Sequence, residues 1–80
     1  MFKTGDRVKL NIGAIKNQLY YPDGMSPVYV DFVESSKGTV FTVAEYDPSG
    51  MYVLRYKDAV IDWVFWAKQL VKAGSDKIGG

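Results

Sequence analysis

Between Thr39 and Phe65 the chain runs through three β-branched and aromatic stretches, TVFTVAEY, MYVLRYK and AVIDWVF. Only Asp47-Pro48-Ser49-Gly50 and Asp58 lie between them, with Lys57-Asp58 as the second turn. Parallel strands need a crossover of roughly a dozen residues or more, so connections this short leave antiparallel hairpins. The first connection carries Pro at the second turn position, which presets φ, and Gly at the fourth. Whatever else the chain forms must complete this meander.

The first half supplies one clear addition. In TGDRVKLNI, a Gly5-Asp6 turn signal precedes Val8, Leu10 and Ile12 alternating with Arg7, Lys9 and Asn11. That period of two predicts a half-buried strand, broken at Gly13. From Ala14 to Lys37 no period holds for long. Pro22-Asp23-Gly24 and Ser26-Pro27 are turn signals. VYVDFV (residues 28–33) reads as a short irregular strand, and ESSKG as another turn. So long a connection in a compact domain is seldom idle. After the third stretch, WAKQL has the size of one helical or 3-10 turn, with Leu70 closing the apolar set. The expected architecture is all-β, a small antiparallel barrel of about five to six short strands with that one turn near the C-terminus. An open meander packed on a partner is the competing arrangement, and closure is favoured because an isolated meander exposes one apolar face. Residues 1–72 form the expected domain and 73–80, AGSDKIGG, a flexible tail.

Composition enters where chemistry is asked for. The 80 residues are 48% hydrophobic and 15% aromatic, which suits dense packing in a chain too short for a large core. There is no cysteine, hence no disulfide and no thiolate, and no histidine. Catalysis at neutral pH would rest on carboxylates, Lys or Tyr alone. No metal-ligand spacing, phosphate loop or nucleophile elbow is present, so the chain is read as non-catalytic, without metal or cofactor. A net charge of +1, with Lys3, Arg7, Lys9 and Lys16 offset by Asp6, Asp23, Asp31 and Glu34, argues against nucleic acid as a partner. No apolar run approaches the ~20 residues of a membrane span. The N-terminus also lacks the apolar core of a signal peptide. The expectation is a soluble domain with no export signal of its own and no membrane partner.

The aromatic residues are then the candidates for recognition. Phe41 lies in register with Val43 and reads as core. Along IDWVFW, Val64 and the later Leu70 read as inward, which turns Trp63 and Phe65 toward the opposite face, solvent or ligand. Trp63 and Trp66 either cover the open end of the barrel or meet a ligand. Tyr20 and Tyr21 flank the Pro-Asp-Gly turn, where little core can reach them. A tyrosine there offers a flat apolar face and a hydroxyl tip at low entropic cost, suited to peptides and glycans. Adjacent residues on extended backbone point apart, so Tyr21 is assigned to ligand and Tyr20 to anchoring the loop.

The order of GDRVKLNIGA, YYPDG with Pro27, VFTVAEY, GMYVLRY and IDWVFWAKQL resembles the bacterial SH3 (SH3b) domain of phage endolysins and peptidoglycan hydrolases. Phe41-Thr42-Val43 matches the family's Tyr-Thr-Val-like strand, Val53-Leu54 its Val-Leu-Leu-like strand, and Trp63-Val64 with Leu70 its closing segment. The resemblance spans roughly residues 3–71 and implies an SH3-like barrel. It departs in a longer segment from Met25 to Lys37 and in one extra residue between Trp63 and Leu70. Loops of this kind set ligand choice in the family. The implied function is non-catalytic attachment to bacterial cell-wall peptidoglycan peptides, targeting an attached or partner lytic enzyme. The implied location is the cell wall, outside the cell after lysis. The family's groove lies between the long first loop and the strands beside it; carried onto this chain, it points to Tyr20, Tyr21 and Trp63. Asp23, Met25 and Tyr29 join them from loop position alone.

Two other readings stand beside this one. The first is an SH3-like protein-interaction domain of a small phage or prophage protein, which would act in the host cytoplasm. The short lead before the first strand fits an excised domain or such a free-standing protein. The second is a KOW- or Tudor-like nucleic-acid-associated barrel, compatible with the GDRV opening but not with the charge balance.

Overall fold

The computed structural model of the protein describes residues 2–73. Among these, the chain forms β1 (Arg7–Leu10), α1 (Ile12–Lys16), α2 (Pro27–Ser35), β2 (Phe41–Tyr46), β3 (Met51–Tyr56), β4 (Ala59–Trp66), a 3-10 turn (Ala67–Gln69) and β5 (Leu70–Lys72). The strands make one five-stranded sheet in the order β4-β3-β2-β1-β5, antiparallel at every pairing. This is the all-β, SH3-like small fold expected from the sequence, with the 3-10 turn where WAKQL placed it. The tail expected at 73–80 lies, apart from Ala73, outside the described residues. Ala73 itself donates its backbone N–H to Arg7 O at 2.8 Å and so continues the β5–β1 edge.

Both hairpin turns form as their residues dictate. The Gly50 N–H donates to Asp47 O, and the Asp47 N–H to Met51 O, each at 2.8 Å. Gly50 sits at φ +99°, a conformation costly for any residue with a Cβ. The second turn places Lys57 at φ 56° between the paired Tyr56 and Ala59.

The first connection departs from the expected run of turns and a strand. β1 stops at Leu10 because Asn11 caps a helix: its Oδ1 accepts the Ala14 N–H at 3.2 Å, and Ile12 starts α1. VYVDFV is not a strand but most of α2. Ser26 caps that helix by accepting the Val28 N–H at 3.3 Å, and Pro27 takes the first position, where its missing N–H costs nothing. Tyr29, Phe32 and Val33 then fall at i, i+3 and i+4 and face the sheet together. The helix closes with Ser36, whose hydroxyl donates to Phe32 O at 2.6 Å.

The core consists of Val8, Leu10, Ile15, Val33, Phe41, Val43, Tyr52, Leu54, Phe65 and Leu70. Phe41 is buried as expected, but the parity of β4 is the reverse of that read from the sequence. Tyr52 pairs with Phe65, and both are buried; Val53 pairs with Val64, which is exposed. Residues opposite one another in an antiparallel ladder share a face, so Tyr52 and Phe65 turn inward together. Trp63, two residues from Phe65, also turns inward. Trp66 turns outward.

Candidate functional site

Gln69 organises a place where the long first connection meets the end of β4. It is a buried polar residue in the 3-10 turn, and burial without partners would be costly. Its side-chain Oε1 accepts the Trp66 N–H at 2.8 Å, and its backbone O accepts the Asn11 N–H at 2.7 Å. One residue therefore fixes the end of β4 against the start of α1.

Between these two walls lies a groove of about 330 Å³ lined by Ala14, Asn17, Gln18, Trp66, Lys68 and Gln69. Asn17 and Gln18 stand where α1 ends. The Asn17 N–H is held by Gly13 O at 3.1 Å, and Gln18 is held by Ile15 O through both its backbone and its side-chain nitrogen. Trp66 forms the opposite wall with 44% of its surface exposed. Its ring edge rests on the Asp47–Gly50 turn, where a Cβ on Gly50 would lie 3.1 Å from Cζ3. The glycine thus serves twice, for its positive φ and for the close approach of the ring. The groove offers a flat apolar surface, two side-chain amides and the Lys68 ammonium, a combination suited to a peptide backbone.

The six residues expected from the sequence lie elsewhere. Trp63 is covered from above by α2: its ring centroid is 4.7 Å from that of Phe32 and 5.9 Å from that of Tyr29. Tyr29 also stacks on Phe65 at 6.3 Å, and burial raises its hydroxyl pKa, opposed by a hydrogen bond from Gln18. Tyr29 and Trp63 are brought together, but as the seat of a helix. Met25 is half-buried and Asp23 exposed at the turn.

The tyrosine pair divides, and the ring expected to anchor the loop is the exposed one. Tyr20 is exposed at 67%, while Tyr21 packs against the core. The Tyr21 hydroxyl donates to Glu34 Oε2 at 2.9 Å, and Lys16 Nζ reaches the same oxygen at 3.0 Å. Tyr21 thereby ties the loop to both helices. Partial burial, then the bond to Glu34, raises its pKa above the ordinary value; hydrogen bonds from Lys16 and then Tyr21 hold Glu34 below its own.

A second groove, of about 300 Å³, lies at the other end of the β3–β4 hairpin among Phe32, Ser35, Ser36, Thr39, Phe41, Tyr56 and Ile61. It holds no charged side chain among its described residues. Sequence reasoning named Trp66 only as an undecided residue and passed over Asn17, Gln18 and Lys68. Reading the parity of β4 from Phe65 inward would have turned Trp66 outward. Nothing in the sequence pairs Asn17 with Lys68, since their meeting depends on Asn11 and Gln69. Compared with models of known protein families, with curated proteins and with solved structures, the chain matches none.

Proposed function

We propose that this domain is a non-catalytic binding module of the SH3b kind that holds peptidoglycan peptides of the bacterial cell wall and keeps a lytic enzyme beside them. The observation that carries the reading is the Trp66 groove, because it lies between the long first connection and the end of a strand, where the resembling family keeps its ligand. Leu19 and Tyr20 follow Gln18 directly and are exposed, and in this reading they meet the ligand beyond the groove. Asp23 and Met25 are contacts further along the same loop in this reading. Tyr21, Tyr29 and Trp63 act on the ligand through the shape of the loop and the seating of α2. The inserted helix in the Met25–Lys37 segment is the feature that would distinguish this domain's ligand choice within the family.

A shallow groove with few contacts binds modestly, with a Kd between about 1 µM and 1 mM, or about −8 to −4 kcal/mol. That suffices when the ligand is a repeating polymer and the module is tethered, since rebinding raises occupancy. Sedimentation with purified peptidoglycan sacculi tests the reading. The wild-type chain is expected to pellet with them, and Trp66→Ala to stay in the supernatant with its thermal midpoint lowered by only a few degrees. Failure of the wild-type chain to pellet with sacculi from several Gram-positive species would defeat the wall reading.

A further inference from the structure

We infer that the Trp66 groove recognises the free C-terminal carboxylate of a peptide, with Lys68 as the carboxylate's partner; this rests on the peptide-binding reading above. Among the described residues lining the groove, Lys68 is the one charged side chain, and no carboxylate shares the lining. An ammonium on a flexible stem serves as a point charge for an anion, and a charged hydrogen bond of this kind is about twice as strong as a neutral one. Asn17 carries an amide able to donate and accept, and Gln18, whose side-chain nitrogen is held by Ile15 O, offers its side-chain oxygen as an acceptor; together they match the last peptide group before a chain end. The Trp66 face then meets the terminal side chain. At about 330 Å³ the groove is at the small end for a ligand pocket, so it encloses a chain terminus rather than a long extended run. A polyanion is the poorer fit, because a chain of net charge +1 provides no field along a row of phosphates.

The walls are set before ligand arrives. Gln69 holds the Trp66 backbone, Gly50 admits the ring edge, and α1 is fixed at Asn11. Such preorganisation lowers the ordering cost that otherwise consumes weak binding energy.

The experiment is an NMR titration with N-acetyl-trialanine as the free acid, with the same peptide as its C-terminal amide, and with inorganic phosphate. The acid is expected to shift the Trp66 indole N–H and the Asn17 and Gln18 amide signals, binding at least about tenfold more tightly than the amide. Lys68→Met should bring acid binding down to the level of the amide. Equal binding of acid and amide overturns the inference, as does undiminished acid binding by Lys68→Met. Phosphate shifting the same signals at the same concentrations also overturns it, because the groove is then a general anion site. These outcomes separate from the parent reading. Sacculi retained through Trp66 without any acid preference sink only the carboxylate assignment, and acid-selective binding without sacculi retention sinks only the wall assignment.

Discussion

At the scale of single residues, the tyrosine pair shows how a local pattern leaves the direction of each ring open. YYPDG announces an aromatic lip on a turn, and the lip is there. Which ring turns inward depends on Glu34, thirteen residues away and read from the sequence as part of a turn of its own. The Tyr21–Glu34–Lys16 contact has a definite pH signature. Glu34 is depressed from its ordinary 4.5, so its contribution is present above that value and is lost as pH falls through the lower folded value. Tyr21 is raised from 10.0, so its contribution is present below 10.0 and is lost as pH rises through the higher folded value. Between those limits the loop is expected to stay latched. The protection of the loop amides, residues 18–25, taken relative to intrinsic exchange at each pH, should fall at the acid end, and Glu34→Gln should remove that acid limb. An acid limb unchanged in the variant would mean that another carboxylate controls the loop.

At the scale of elements, β1 to β4 and the 3-10 turn were legible, whereas β5 and the two α-helices were not. The three stretches from Thr39 to Phe65 carry their own turns, and hairpin partners are neighbours in sequence, so local pattern suffices. VYVDFV has the β-branched content of a strand, yet Ser26-Pro27 starts a helix there instead. A cap signal thus outweighed β-propensity, which largely reflects the packing available to a strand. Ser26→Ala should therefore cost about 1 kcal/mol and quicken exchange in the first turn of α2, while Ser26→Asp should restore both. Thermal melts with residue-level exchange check this. Equal exchange in Ser26→Ala and wild type would show that Tyr29 and Phe32, packed on Trp63, hold the helix without its cap. Face assignment in β4 failed for another reason: alternation tells which residues share a side, not which side is inward. The pairing with Tyr52 decides that.

At the scale of the whole molecule, one sheet and two short helices share a small core, so stability is concentrated in few side chains. Phe65 is fully buried, touches Tyr29 and Phe32, and faces Tyr52 across the ladder. Phe65→Ala should cost about 3–5 kcal/mol, comparable to all that a single core of this size supplies. Val64→Ala, one residue away on the outer face, should stay within about 0.5 kcal/mol. Urea unfolding of the two variants is the measurement, and similar losses would contradict the inward parity of Phe65. The same alternation has an optical consequence. The two tryptophans, three positions apart, report on different events: Trp63 lies under the rings of α2, and Trp66 stands in the open groove. A soluble quencher reaches the second emitter and leaves the first largely shielded. The intrinsic fluorescence of the chain therefore carries two channels, one following the seating of the helix and the other the filling of the groove, with no added label.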